Sequence, residues 1–105
     1  MRRLPVRVIS KKRVQEAIDA HAEWGGSLRA WLKIVKAARW DNFPSVRQTL
    51  NTASLVGTCV VFNIGGNKCR LISYIRFSAK KVYILYILSH AEYDREGWKN
   101  DCDCD

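Results

Sequence analysis

No apolar run in this chain of 105 residues approaches the roughly 20 residues that a membrane-spanning helix needs. The basic N-terminus, residues 1–5, is not followed by the apolar stretch of a secretory signal peptide. Internal repeats and low-complexity segments are also missing from the sequence. We therefore expect a cytoplasmic protein rather than a secreted or membrane-embedded one.

Acidic residues are scarce, because 10 Asp and Glu stand against 18 Lys and Arg, a formal net charge of +8. Three of these acids, Asp101, Asp103 and Asp105, lie in the last five positions, so the rest of the chain is more basic still. Such a charge favours a polyanionic partner. No basic amphipathic helix stands apart to favour a membrane surface, so nucleic acid is the expected partner.

The chain is long and apolar enough to form one folded unit. Hydrophobic residues make up 48% of it, which is typical of a globule and too high for a disordered chain. We expect a single domain over residues 1–105, since domains commonly contain about 100 to 150 residues. Residues 1–5 are interpreted as a short extension, and residues 100–105 as a disordered acidic tail.

The four cysteines carry little functional signal. Cys59 and Cys69 fall within apolar strand patterns, where small buried side chains are expected. Cys102 and Cys104 form a Cys-x-Cys pair in the acidic tail, where two thiolates and neighbouring aspartates could hold a soft metal. Structural zinc sites use four ligands, usually at wider spacing, so we predict no metal and no cofactor.

The N-terminal part of the chain predicts one strand and a helical hairpin. Residues 6–9 are β-branched and favour a strand, and Ser10 is expected to cap a helix over residues 11–23. His21 lies on the apolar stripe of that helix, where a packed histidine is the simpler interpretation. Gly25-Gly26 should break the apolar pattern, so this helix and the next form either a hairpin or one helix kinked at the glycines.

A second helix is expected to start at Ser27 as its cap. Its buried face is predicted to comprise Leu28, Trp31, Leu32, Val35 and Ala38. Its other face carries Arg29, Lys33 and Lys36 with Trp40 nearby, a pattern that suits RNA but also describes a solvated helix. Ser45 is expected to cap a short helix through Leu50, and residues 51–57 to form a loop.

Residues 58–94 hold three apolar runs that predict an antiparallel meander. The first run, residues 59–64, is followed by Gly65-Gly66-Asn67, which supplies the positive φ angles of a tight hairpin. Residues 82–88 form the third, strongly β-prone run and should lie centrally in the sheet. Alternation in the middle strand makes one face basic and aromatic, with Arg70, Ile72, Tyr74 and Arg76 on that face.

The exit of the meander carries the candidate chemistry. Ser89 and Glu92 fit a capping box, which gives the carboxylate a structural role and begins a helix through about Trp98. His90 and Tyr93 would then lie on one face of this helix. RNA cleavage without a metal needs a base, an acid and cations for the developing phosphorane charge, which these side chains and the arginines can supply.

The chain resembles a known family at these residues. Val-Phe-Asn-Ile-Gly-Gly-Asn-x-x-Arg-Leu-Ile at residues 61–72 and Ser-His-Ala-Glu-Tyr-Asp at residues 89–94 are similar to the HigB toxins of the RelE-like superfamily. The resemblance extends over roughly residues 6–98. It implies an α+β fold in which an N-terminal helical hairpin packs on a small, mostly antiparallel twisted sheet with a short C-terminal helix.

The resemblance also implies the activity and the partners. HigB-type toxins are mRNA interferases, endoribonucleases that commonly act on the ribosome and are neutralised by a helix-turn-helix antitoxin of the HigA type. Arg70 matches the arginine that contacts the scissile phosphate, and His90 and Tyr93 match the closing His and Tyr, so these three are the predicted catalytic residues. RNA contacts predicted from charge and position are Lys36, Lys68, Arg76, Lys80 and Lys81.

Two features depart from the family pattern, since Cys69 stands where an aromatic is common and the acidic cysteine tail is extra. Two other interpretations stay open at this stage. The chain could bind RNA or the ribosome without cutting, or its basic surface could serve only to recognise an acidic antitoxin segment.

Overall fold

A computed structural model describes residues 7–102. Its strands are β1 (Arg7–Ile9), β2 (Ser54–Val56), β3 (Cys59–Ile64), β4 (Cys69–Arg76) and β5 (Lys81–Leu88). Its α-helices are α1 (Lys11–Ala20), α2 (Gly25–Ala37), α3 (Phe43–Thr49) and α4 (His90–Asp94). Two 3₁₀ helices complete the fold, Ala22–Trp24 and Gly97–Cys102, and the latter is called the C-terminal segment below. The predicted extension at residues 1–5 and Cys104 lie outside the described residues.

The strands form one sheet in the order β1-β5-β4-β3-β2. Neighbouring strands are antiparallel except β1, which runs parallel to β5. The predicted α+β class with a mostly antiparallel sheet is therefore confirmed. The middle strand in this order is β4, whereas β5 was predicted to be central. β1 pairs only with the first three residues of β5, so residues 84–88 have no strand on that side among the described residues.

A β-bulge interrupts the pairing of β4 with β5. Ile72 pairs with Tyr86, whereas the next residue, Ser73, pairs with Ile84, so Leu85 is an extra residue in β5. A bulge of this kind leaves one residue unpaired and shifts the alternation of side chains beyond it. Tyr86 and Leu88 therefore point to the same side of the sheet as Lys81 and Tyr83.

The main core lies between the sheet and the first three helices. Leu28, Trp31 and Val35 of α2 are buried against inward strand residues such as Phe62 and Leu71. This confirms most of the predicted helix face, with Leu32 only partly buried. Burial of this apolar surface supplies the largest stabilising term in such a fold.

A smaller core covers part of the opposite face of the sheet. Cys59, Val61 and Ile72 are buried there beneath Trp98 and Cys102 of the C-terminal segment. Cys102 is fully buried and forms a disulfide with Cys59. The prediction of a disordered tail from residue 100 is therefore wrong up to Cys102, because this bond and the packing of Trp98 hold the segment on the sheet.

Three predicted helix ends differ from the structure. Ser10 makes no side-chain cap bond, since its φ of 71° bends the chain out of β1. The break between the first two helices falls at His21, and the Gly25-Gly26 pair lies inside the first turn of α2 instead. The cap of α3 is Asn42, whose side chain accepts a bond from the backbone N–H of Ser45 at 2.9 Å.

Two other predictions in the first half are corrected. The predicted loop over residues 51–57 contains β2, which is short and is defined by its pairing with β3. Trp40, expected beside the basic helix stripe, is buried, stacks on Phe62 and donates its indole N–H to Thr49 at 3.1 Å. Among residues 7–102, no helix has the length and apolar character needed to span a bilayer.

Candidate active site

The β3–β4 hairpin turn holds two asparagine side chains in a fixed arrangement. Gly65, Gly66 and Asn67 have φ angles of 61°, 59° and 87°, as the turn sequence predicts. Asn63 Oδ1 accepts a bond from the backbone N–H of Asn67, and Asn63 Nδ2 donates to Asn67 Oδ1, each at 2.9 Å. The two side-chain oxygens consequently face the neighbouring strand.

These oxygens orient Arg70, which lies opposite Asn63 in the β3–β4 pairing. Arg70 donates from Nη1 to Asn63 Oδ1 at 2.7 Å and from Nη2 to Asn67 Oδ1 at 3.3 Å. Its guanidinium lies over the Tyr93 ring, 5.5 Å from the centroid. Both contacts involve neutral groups, so the positive charge of Arg70 is held in place without being neutralised.

Helix α4 begins with the predicted capping box. The Ser89 hydroxyl accepts a bond from the Glu92 N–H at 3.3 Å, and Glu92 Oε1 accepts one from the Ser89 N–H at 2.9 Å. The backbone bond from Ser89 is the main reason why the pKa of Glu92 is below its usual value. Glu92 thus fixes the start of α4, and His90 is an exposed residue of its first turn.

Tyr93 is supported from behind by the C-terminal segment. Its ring stacks on Trp98 with centroids 4.9 Å apart and an interplanar angle of 17°, and the Trp98 indole donates to the Tyr93 carbonyl at 2.9 Å. The disulfide between Cys102 and Cys59 ties the same segment to β3. The phenol is therefore held between a strand arginine and a buried tryptophan. The predicted helix through Trp98 is shorter, because α4 ends at Asp94.

The structure brings Arg70 and Tyr93 into contact and puts His90 one helical turn before Tyr93. The other predicted RNA contacts lie elsewhere. Lys68 is exposed on the hairpin turn and Lys36 is exposed on α2, across the sheet from Arg70.

Three further predicted contacts lie at the opposite end of the sheet. Arg76 is the last residue of β4, and it pairs with Lys81 at the start of β5. Lys80, just before β5, bonds to the Asp41 carboxylate at 2.6 Å and to the Trp40 carbonyl at 3.1 Å. Its ammonium is thus already paired within the fold.

A cleft of about 300 Å³ lies next to α4, with Glu92 in its lining. It runs between α1 and β5, and its lining includes His21, Trp24, Tyr86 and Glu92. His21 stacks on Trp24 with centroids 3.7 Å apart, so the other histidine of the chain is packed against a ring, as the sequence predicts.

Sequence reasoning missed the groups that position the candidate site. Asn63 and Asn67 looked like strand and turn residues, and only the register of β3 with β4 gives them a shared function beside Arg70. Trp98 and Cys102 were assigned to the helix end and the tail. Cys69 behaves as predicted, because it is a buried free cysteine, and burial raises the pKa of its thiol to about 11.

A mostly antiparallel sheet with helices packed on one face agrees with the α+β fold expected of a RelE-like toxin. Residues 25–96 match the HigB_toxin family, described as the RelE-like toxic component of a toxin-antitoxin system. Since this match covers most of the chain, the protein belongs to the HigB toxin family.

Curated relatives agree with the family assignment. The chain is 26% identical over 91 residues to an mRNA interferase HigB of Escherichia coli O6:H1. The aligned region covers 84% of this chain and 88% of that protein. It is 32% identical over 54 residues to the mRNA interferase toxin HigB of Escherichia coli K12, covering 51% of this chain and 52% of that relative. The same identity and coverage apply to an mRNA interferase HigB of Shigella flexneri.

Proposed function

We propose that this chain is an endoribonuclease that cleaves mRNA without a metal ion and thereby inhibits translation and growth. The proposal is carried by Arg70, whose guanidinium is held by Asn63 and lies over Tyr93, one turn of α4 after His90. In this proposal, Arg70, Tyr93 and His90 supply a cation, a phenol and an imidazole to the same phosphate. The relatives named mRNA interferases support the same reaction.

The chemistry is an in-line transesterification within the RNA. The 2′-oxygen attacks the adjacent phosphorus, the bond from phosphorus to the 5′-oxygen breaks, and the products are a 2′,3′-cyclic phosphate and a 5′-hydroxyl. A base takes the proton of the 2′-hydroxyl and an acid gives one to the leaving 5′-oxygen. His90 serves as one of these two groups, and Tyr93 donates a proton or stacks on a base. Arg70 stabilises the negative charge that develops on the phosphorane.

Charged side chains at other positions on the surface are assigned to hold the RNA backbone. Lys68 on the hairpin turn and the Arg76–Lys81 pair lie on exposed or partly exposed strand ends. Lys36, on the helical side, would reach only RNA that wraps around the domain. We assign Lys80 the smallest contribution, because its charge is offset by Asp41.

Family membership supports a proposal about the partners. We propose that the toxin is neutralised by a HigA-type antitoxin with a helix-turn-helix domain, that it acts on mRNA carried by the ribosome, and that it does so in the cytoplasm. A non-catalytic RNA binder of the same fold is the alternative.

The test is induction of the protein without an antitoxin, followed by mapping of mRNA ends. We expect growth arrest and new ends within coding sequences, with purified protein leaving cyclic phosphate termini. His90→Ala should slow cleavage by about 10² to 10⁴-fold through loss of proton transfer. Arg70→Ala should slow it by about 10² to 10³-fold through loss of charge stabilisation.

Arg29→Ala removes an exposed cation on α2 and is the matched control, which should retain full activity. Intact transcripts under the wild-type protein would favour the binder. Full activity of both the His90 and Arg70 variants would overturn the site assignment.

A further inference from the structure

All four cations in the strands lie on one face of the sheet. Within residues 7–102, the strands contain Arg7, Arg70, Arg76 and Lys81 but no Asp or Glu. Arg70 and Arg76 share a face of β4 because they are separated by an even number of residues. Arg76 of β4 pairs with Lys81 of β5, and Lys81 pairs with Arg7 of β1. Directly paired residues point to the same face, so all three strands carry their cations on that face.

Arg7, Lys81 and Arg76 therefore form a row across three adjacent strands, called the cation row. Neighbouring strands lie about 5 Å apart, and like charges directly opposite each other destabilise a sheet. None of the three forms a salt bridge within residues 7–102. The described residues give this row no opposite charge, whereas a bound polyanion would offset its repulsion.

Two tyrosines lie immediately beside the cation row. Tyr74 and Tyr83 pair across β4 and β5, with ring centroids 6.3 Å apart and an interplanar angle of 32°. Tyr74 is 39% exposed although it is a large ring in the middle of a sheet. Exposed rings next to cations favour a ligand with both aromatic bases and phosphates, since bases stack on aromatic side chains.

We propose that the cation row and the Tyr74–Tyr83 pair form a second RNA subsite, which binds single-stranded RNA flanking the cleaved nucleotide. This inference rests on the proposed function, because it takes Arg70 as the position of the scissile phosphate. Arg76 lies six residues along β4 from Arg70, or about 20 Å in a strand. The subsite binds RNA through phosphate contacts and base stacking. It should therefore increase the affinity for longer RNA strands without selecting a particular base.

The test uses fluorescence anisotropy with a labelled single-stranded RNA of about ten nucleotides, within the site sizes of single-strand binders. Its nucleotides carry 2′-O-methyl groups, so it has no 2′-hydroxyl to react. The variant Arg7→Ala/Lys81→Ala/Arg76→Ala should bind about 10 to 100-fold more weakly than the wild type. The slope of log K against the logarithm of the salt concentration should be smaller in magnitude by about 2, since each of the three phosphate contacts in a single strand contributes about 0.7.

The tyrosine contribution is tested separately with the same RNA. Tyr74→Ala should weaken binding by about tenfold, whereas Tyr74→Phe should retain it because the ring that stacks is kept. Lys11→Ala/Lys12→Ala/Lys33→Ala removes the same number of charges from exposed helix positions and should bind like the wild type. The cation-row variant should also melt at the same temperature as the wild type or higher, which excludes misfolding as the cause.

The outcomes separate this inference from the proposed function. If the protein bound RNA through the cation row but cut none, the proposed subsite would stand and the proposed ribonuclease activity would be wrong. Cleavage by the wild type, together with unchanged RNA binding by the cation-row variant, would overturn the subsite alone. If that variant instead lost only its binding to the antitoxin, the row would be a protein-binding surface and the inference would be wrong.

Discussion

Arg70 depends for its orientation on side chains outside its own strand. Asn63 accepts a bond from its Nη1 and is itself fixed by Asn67. A guanidinium on a long side chain otherwise samples many rotamers, and restricting them in advance avoids an entropic cost when the phosphate binds. Asn63 is thus a positioning residue for the proposed cleavage.

Asn63→Ala should lower kcat for RNA cleavage by about 10 to 100-fold, since small misplacements of a catalytic group have costs of this order. KM should change little, because Arg70 and its charge remain. Steady-state cleavage of a labelled RNA measures both parameters. Asn51→Ala removes an exposed asparagine in the loop after α3 and should match the wild type. A rise in KM with an unchanged kcat would assign Asn63 to RNA binding instead.

At the scale of single elements, α4 is too short to be stable by itself. It has five residues, none of them buried, so its capping box and the stacking of Tyr93 on Trp98 hold it together. The direction in which His90 points therefore depends on Ser89 and Glu92.

Ser89→Ala should destabilise α4 by about 1 kcal/mol, the usual effect of losing an N-cap. Acid should act in the same direction. The pKa of Glu92 is lowered in the folded state, chiefly by the Ser89 N–H, so its stabilisation is present above the unfolded pKa and disappears as pH falls through the folded one. Amide exchange of residues 90–94 by NMR measures both effects. Ser78→Ala, in an exposed turn, is the control, and equal exchange in all three proteins would contradict the argument.

Elements that depend on local signals could be predicted from the sequence. The period-two pattern of β4, the positive φ angles after Ile64 and the capping box of α4 all involve neighbours within a few residues. β2 could not be predicted, because three residues become a strand only through β3. The glycines at the start of α2 gave a wrong predicted helix boundary, since a helix tolerates glycine in its first turn when its buried face is strongly apolar.

The candidate site was predictable only in part for the same reason. His90 and Tyr93 lie close together in sequence, and Arg70 lies in a strand with clear alternation. The asparagines, the C-terminal segment and the disulfide depend on register and on contacts distant in sequence, and 43 residues separate Cys59 from Cys102. Such pairings cannot be deduced from spacing.

For the whole molecule, the disulfide joins the end of the described chain to the start of β3. It closes a long loop, and bonds of this kind commonly contribute about 2 to 4 kcal/mol to stability. Cys102→Ser should therefore lower the melting temperature and loosen the contact of Trp98 with Tyr93. Calorimetry, with Trp fluorescence as a second probe, measures this.

Reductant supplies the internal control for that prediction. It should lower the melting temperature of the wild type toward that of Cys102→Ser and leave the variant unchanged. Equal melting temperatures in all conditions would contradict a stabilising role. In a reducing cytoplasm the bond would open, so the support of Tyr93 would then rest on its stacking with Trp98 and on the hydrogen bond from the Trp98 indole.

The extra residue at Leu85 has a consequence for the whole surface. Without it, strict alternation would turn Leu88 inward, and the chain would leave β5 toward the helical layer. His90 and Tyr93 would then be delivered to the wrong side of the sheet from Arg70. The face of the sheet on which the candidate site forms therefore depends on the number of residues in β5. One extra residue brings the end of β5 and the start of β4 to a common surface.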